Sequence, residues 1–471
     1  MTALWTSEQA AVATGGVSTV PWKTNGVSID SRTLNSGDLF VAIQGPNHDG
    51  DRFVASALES GAAAAMVSGD VAANTNAPLL IVKDTTTGLK NLGRAARNRG
   101  HAKIIAVTGS MGKTSTKEAL ALVLGRQGMT SATQGNLNNQ WGLPLSLARM
   151  PAEARYGVFE MGMNHPGEID MLSRLARPDI AIITNVDAVH LKYFQSESAI
   201  AAAKAEIFVG MNTNGIAILN RDNAYFEQLR DAALAANVTD IRTFGTHADA
   251  TSRLIDADVQ GSHSDVAAQI DGEIIRYTIG APGHHWVLNS LAVLAAVSAL
   301  DADAGKAAKV LADLRPLPGR GAHTSIETPS GSMLLIDESY NASPTSMRAA
   351  LNVLGAVDVA PKGRRIAVLG DMLELGSESS ALHVGLVDAI TSNNIDLVYT
   401  VGADMAHLAA ALPSDITTRH ADSSQEIMTP LLDALSPGDI VMVKGSLGSR
   451  MAVVVEALLA LNQPYQIAKG R

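Results

Sequence analysis

A glycine turn that runs into a lysine and a hydroxyl residue, Thr108-Gly109-Ser110-Met111-Gly112-Lys113-Thr114, is the strongest chemical signal in the chain. Glycines let a backbone fold around phosphate oxygens, and a helix beginning at the lysine adds partial positive charge. Lys113 would bridge the β- and γ-phosphates of a nucleotide, and the Thr114 hydroxyl would ligate Mg²⁺. The long form of the motif needs glycine at position 107, where Val107 stands, so this is the shorter G-x-x-G-K-T form. A strand–turn–helix with an incidental Gly-Lys-Thr is the bland alternative. Its flanks favour nucleotide binding, which alone does not separate a motor, a switch, a kinase or a ligase.

Glu160, His190 and Lys204 lie downstream. Glu160 ends an apolar run, and an acidic residue at that edge of a parallel sheet can hold Mg²⁺ or cap a helix. His190 follows the next apolar run, where neutral imidazole can ligate metal or simply sit at the surface. Lys204, in Ala201-Ala202-Ala203-Lys204-Ala205-Glu206, reads by itself as a solvated lysine on an amphipathic helix.

The elements that must position these groups alternate strand and helix. Apolar runs 104–107, 156–160, 180–184 and 216–219 predict strands, with helices over 113–125 and 166–176, the latter with Pro166 in its first turn. Such alternation predicts a mainly parallel sheet covered on both faces. Residues 250–280 alternate polar and apolar, predicting a small antiparallel excursion, and a helix follows over 286–300. Arg315-Pro316-Leu317-Pro318-Gly319-Arg320-Gly321 is the candidate linker. Beyond it, strands are expected at 333–336, 366–369, 397–401 and 440–443, and before the glycine turn at 38–42 and 79–82. The expected fold class is α/β in three domains: a small N-terminal α/β unit (1–83), a central P-loop unit with a mainly parallel sheet (84–316) and a C-terminal Rossmann-like unit (317–471).

With 471 residues, the chain is too long for one core, and 46% hydrophobic against 17% charged residues marks it as globular. It has no cysteine, which excludes disulfides, thiolate metal sites and a cysteine nucleophile. A formal charge of −10 argues against nucleic acid as a partner. Residues 1–13 lack the pattern of a signal peptide, and no run reaches the roughly 18 apolar residues of a membrane helix. A cytoplasmic protein is expected.

These motifs, taken with others, resemble the Mur ligases of peptidoglycan synthesis, and the likeness runs almost end to end. Asp30-Ser31-Arg32 with Gly37-Asp38-Leu39-Phe40 is similar to the family's uridine-nucleotide domain. Gln134-Gly135-Asn136-Leu137-Asn138-Asn139 is similar to its segment facing the muramoyl substrate, and Glu160-Met161-Gly162-Met163-Asn164-His165 to a family signature. Asp337-Glu338-Ser339-Tyr340-Asn341-Ala342-Ser343-Pro344-Thr345-Ser346 and Leu369-Gly370-Asp371-Met372-Leu373-Glu374 resemble the branch that adds D-alanyl-D-alanine. The Asp-Asn-Pro-Arg motif of the diaminopimelate-adding branch is absent.

The resemblance implies an ATP-dependent ligase that joins D-alanyl-D-alanine to UDP-N-acetylmuramoyl-tripeptide through an acyl phosphate, acting as a monomer. It implies nucleotide contacts from Thr108 to Thr114, from Asn289 and from Arg320, with Lys113, Glu160, His190 and Lys204 catalytic. Thr114, Glu160, His190 and a Lys204 carbamylated by CO₂ would hold Mg²⁺. Ser31, Arg32, Asn136, Asn138, Asn139, Asp337, Tyr340, Asn341 and Ser346 would meet the substrates. Another Mur-type or folylpolyglutamate-type ligase with a different amine, and a P-loop switch without ligase activity, are the competing expectations.

Overall fold

The computed structural model describes residues 3–45, 49–69, 76–189 and 191–462. Three larger sheets and a two-stranded ribbon organise them. The N-terminal sheet has five strands, in the order Val17–Ser18, Leu79–Val82, Ala64–Ser68, Asp38–Val41, Gly26–Ser28. Its Leu39, Val41, Met66 and Leu80 share one core with Leu89, Leu92 and Ala96 of the helix Thr85–Arg99 and with Leu145 and Ala148 of the helix Gly142–Ala148. Two helices beyond residue 83 thus complete the N-terminal core.

The central sheet has nine strands, and at its middle lie Ile180–Ile183, Lys103–Thr108 and Tyr156–Glu160, all parallel. Successive residues point to opposite faces: Ile105 and Val107 enter the core under the helices Lys113–Gly125 and His284–Ala299, whereas Ile104 and Ala106 enter the core under Glu168–Ala176 and Glu197–Ala205. Both faces are therefore dry, and each fully buried Ile contributes about 1.5–3 kcal/mol. The expected antiparallel excursion is Ser252–Val259, Ser264–Ile270 and Glu273–Ile279, which extends the same sheet at its edge.

One helix starts later than the sequence suggested. The segment 166–176 is helical only over Glu168–Ala176, because Gly167 takes φ +86° and breaks the turn before it. The Glu206 carboxylate accepts from the Gly167 and Asp170 N–H groups at 2.7 and 3.1 Å and so satisfies donors at the helix start.

The C-terminal sheet has six strands, in the order Ala322–Thr328, Gly331–Glu338, Ile440–Lys444, Arg365–Gly370, Leu397–Val401, Thr417–Ala421, parallel except for the first hairpin. The linker is tied to it. Gly319 N–H donates to Asp337 Oδ2 (2.7 Å), Tyr340 N–H to Gly319 O (3.0 Å) and Gly321 N–H to Asp337 O (2.8 Å). A backbone bond from Lys192 N–H to Glu374 O (3.1 Å) joins the central and C-terminal units. Among the described residues, no helix is long and apolar enough to cross a membrane.

Candidate active site

The strand Lys103–Thr108 ends at the sheet's middle, and Gly109–Gly112 turns the chain into the helix Lys113–Gly125. The exit of the neighbouring strand braces this turn. Ser110 N–H donates to Asn185 O (2.9 Å), Met111 N–H to Asn185 Oδ1 (3.1 Å) and Ser110 Oγ to Asp187 O (3.1 Å). Thr184 Oγ donates to Met111 O. Two loop N–H groups are thereby occupied by protein, while the first turn of the helix has no side-chain cap and can turn its N–H groups to an anion. Gly112 takes φ +79°, and a Cβ there would sit 2.9 Å from Asn289 Oδ1, so glycine is required at this approach. Asn289 Nδ2 and Thr108 Oγ are buried without a partner among the described residues. Lys113 Nζ donates to Gly109 O at 2.6 Å.

Glu160 is buried at the end of its strand and is held from three sides. Thr114 Oγ donates to its Oε2 (2.7 Å), Asn138 Nδ2 donates to its Oε1 (2.7 Å), and its own N–H donates to Thr133 Oγ (3.1 Å). A carboxylate and a hydroxyl side by side at a phosphate loop are hard oxygen donors of the kind Mg²⁺ takes along with phosphate oxygens and water. The described residues contain no group of three or more His, Asp or Glu side chains fit to hold a metal by themselves. Thr114 Oγ and the Glu160 carboxylate fit an ion that takes its remaining ligands from elsewhere, nucleotide phosphates among them. His190 lies outside the described residues.

Lys204 is not the solvated lysine its sequence context suggested. The helix Glu197–Ala205 buries Ile200, Ala201, Ala203 and Ala205 together with Lys204, because small alanines let it sink between its neighbours. Burial, reinforced by the nearby Lys113 charge, holds the Lys204 amine well below the usual lysine range. Burial also lowers Lys113, with Glu160 opposing and Arg320 adding to the shift. Lys113, Glu160, Lys204 and Arg320 thus share one electrostatic neighbourhood.

A cleft of about 1030 Å³ opens in front of this array, with Lys113, Thr114, Asn138 and Glu160 on one wall and Tyr340, Asn341, Ser346 and Lys444 on the other. Arg320 enters from the linker, its guanidinium 3.9 Å from the centre of the Tyr340 ring. The buried Lys444 pairs with Glu338 (3.3 Å) and donates to Asn341 O (2.9 Å). His285, also on the cleft wall, is pushed down by burial.

Several expected site residues have local roles. Both Asp337 oxygens accept protein hydrogen bonds, Oδ2 from Gly319 and Oδ1 from Ser339. Ser346 forms a reciprocal cap with Ser343 at the start of the helix Pro344–Ala356. Asn139 lines the cleft while its Oδ1 accepts from the Trp141 and Gly142 N–H groups. Asn136 is exposed and does not line the cleft, nor do Ser31 and Arg32, which follow the strand Gly26–Ser28 of the N-terminal sheet. Arg32 is paired there with Asp30 at 2.7 Å.

Sequence reasoning missed the brace Thr184-Asn185-Val186-Asp187. Its signal was available: a polar run leaving a buried strand at the ligand edge. It also missed that Asn138 holds Glu160, a contact across 22 positions that no local pattern reveals.

Three Mur family models match the chain: "Mur ligase family, catalytic domain" over residues 23–118, "Mur ligase middle domain" over 107–297, and "Mur ligase, glutamate ligase domain" over 325–447. UDP-N-acetylmuramoyl-tripeptide–D-alanyl-D-alanine ligase of Rickettsia prowazekii is 35% identical over 96% of this chain and 99% of its own length. A crystal structure of MurF from Acinetobacter baumannii superposes with a TM-score of 0.82 at 29% identity, covering 97% of this chain and 99% of that one. MurF ligase from Thermotoga maritima in complex with ADP gives a TM-score of 0.76 at 28% identity over 93% and 98%.

Proposed function

The chain belongs to the Mur ligase family, and from that premise we propose that it joins D-alanyl-D-alanine to UDP-N-acetylmuramoyl-tripeptide at the expense of ATP, in peptidoglycan synthesis. The observation that carries this is its likeness, at 35% identity over 96% of the chain, to a relative named for that reaction. The cleft supports it, since a phosphate loop and a second polar wall face one space.

A free carboxylate resists nucleophiles because it is anionic. The tripeptide carboxylate attacks the γ-phosphorus, giving an acyl phosphate and ADP; the dipeptide amine then attacks the carbonyl carbon and phosphate leaves. The α-amino group has a pKa near about 8, so an appreciable neutral fraction exists at pH 7 and orientation is most of what it needs. Lys113 and Arg320 supply positive charge to the transferring phosphoryl group. Mg²⁺ would be held by Thr114 and Glu160, with His190 and a carbamate on Lys204 as its further ligands, and would neutralise phosphate oxygens. Lys204 suits that modification because burial shifts its amine toward the neutral form, the form that adds CO₂; loss of a proton then leaves an anionic carbamate. Ser31 and Arg32 are assigned to the uridine nucleotide, and Asn138, Tyr340 and Asn341 to the peptidyl substrates. We assign the reaction to the cytoplasm and the working unit to a monomer.

The test is phosphate release with ATP and the UDP-tripeptide, offered D-alanyl-D-alanine, D-glutamate, diaminopimelate or lysine, with Lys113→Ala as control. Release driven by the dipeptide alone is expected. Release driven by another of these amines would replace the assignment, and ATP binding with no amine-dependent release would return the chain to the class of nucleotide switches.

A further inference from the structure

Lys117 stands one helical turn beyond Lys113, and no step above uses it. Its side chain is 0% exposed, whereas lysines ordinarily keep the ammonium in water and bury only the stem. Two groups meet its Nζ: the carboxylate of Glu118, whose side chain is 34% exposed, and the carbonyl of Thr133 at 2.8 Å. Removing an ammonium from water is costly, and one partly solvated carboxylate repays little of that cost. What the burial achieves is visible at Thr133.

Thr133 follows the strand Thr130–Ala132, a three-residue edge strand paired on one side only, with Tyr156–Glu160. An edge so short is held weakly by its own ladder. Both groups that flank Glu160, apart from Thr114, lie on the chain at or just beyond this strand end, the Asn138 carbonyl also accepting from Gly162 N–H at 2.9 Å. Thr133 Oγ accepts from the Glu160 N–H at 3.1 Å, and Asn138, five positions on, donates to Glu160 Oε1 at 2.7 Å. Lys117 pins this strand end from the phosphate-loop helix, which also carries Thr114, the third partner of Glu160.

We propose that Lys117 is a positioning residue for the Glu160 carboxylate: by holding Thr133 it keeps the phosphate-loop helix, the strand end and the Asn138 segment in one frame, and so sets the affinity for the divalent ion. The inference rests on the reading of Glu160 as metal-directed. Groups that orient a metal's direct ligands typically contribute about 10–100-fold in affinity.

Mn²⁺ binding followed by electron paramagnetic resonance, on the full chain with a non-hydrolysable ATP analogue, tests it. Lys117→Met and Thr133→Val are each expected to raise the Mn²⁺ dissociation constant about tenfold, with analogue affinity at saturating Mn²⁺ changed less than about twofold. Thr133→Val keeps the carbonyl that Lys117 holds and removes the hydroxyl that meets Glu160, so the two lie in series and the double variant should fall well short of the product of the two single effects. Thermal melting checks that each variant is folded; if Lys117→Met is not, Lys117→Gln takes its place under the same expectations. Folded variants that bind Mn²⁺ as the unmodified chain does, or a double variant that multiplies the two effects, would overturn the proposal. An unmodified chain that binds no Mn²⁺ beside the analogue would instead overturn the metal reading beneath it.

Discussion

Two lysines, one in the central unit and one on the C-terminal wall of the cleft, are buried in opposite company. In the central unit Lys204, which does not line the cleft, lies among alanines and isoleucine, has no acid partner among the described residues and feels the Lys113 charge. On the C-terminal wall Lys444 is equally buried but sits between Glu338 and a backbone carbonyl. Burial without an acid shifts an amine toward its neutral form, whereas an acid beside it opposes that shift. The difference teaches that equal burial leaves one amine short of partners and fixes the other between two.

Substituting each lysine by methionine breaks that comparison most directly. Lys204→Met should lower dipeptide-dependent phosphate release by at least about a hundredfold, and the carbamate signal from ¹³C-bicarbonate should vanish from the NMR spectrum. Its stability should move the other way. The folded-state pKa of Lys204 lies below its unfolded value of 10.5, so the unfolded chain binds the extra proton between those values. Folding is therefore disfavoured at low pH and recovers as pH rises toward 10.5. In CO₂-free buffer at pH 7, Lys204→Met should melt higher than the unmodified chain, with the gap closing at alkaline pH. A variant that melts lower would place Lys204 with the structural lysines.

Lys444→Met should instead destabilise, by about 3 kcal/mol in urea denaturation, because Glu338, 15% exposed, loses its partner. Dipeptide KM should rise more than kcat falls. A loss confined to kcat would move Lys444 to the Lys204 side of the comparison.

The ion pair of Asp30 and Arg32, outside the cleft, supplies the smallest effect. The Arg32 side chain is 85% exposed, so water and salt screen the pair. Its hydrogen bonds nonetheless hold the Asp30 carboxyl at about 2, against an ordinary 3.8. A depressed carboxyl stabilises above its unfolded value and ceases to do so as pH falls through the folded one, so this contribution disappears between about pH 3.8 and 2. Arg32→Ala should move the Asp30 titration, followed by NMR, up toward 3.8 and leave activity on the tripeptide changed only in KM.

Fold and site were unequally legible. Buried parallel strands appear as unbroken apolar runs, so Tyr156–Glu160, Leu79–Val82 and Leu397–Val401 have the bounds that the sequence suggested. The glycine turn announced the phosphate loop because its residue types are dictated by backbone conformation. The burial of Lys204 is hidden in the sequence for the opposite reason: alanine is neutral in a pattern search, and only the buried Ile200, Ala201, Ala203 and Ala205 show that this side of the helix is sunken. The Asn138–Glu160 contact and the linker's bond to Asp337 join distant positions, and nothing in their local spacing encodes them.

Because Asp337 fastens Gly319 to the C-terminal sheet, while the Arg315 guanidinium grips the carbonyls of Ala312 and Leu314, any swing between the two lobes has its axle in the short stretch 316–318. Proline at both ends fixes φ near about −65°, leaving little besides ψ to rotate. Arg320 lies beyond that axle and travels with the C-terminal lobe. The guanidinium and the wall of Tyr340, Asn341 and Lys444 are thus geared together, so a lobe swung away would carry its positive charge out of the cleft with it.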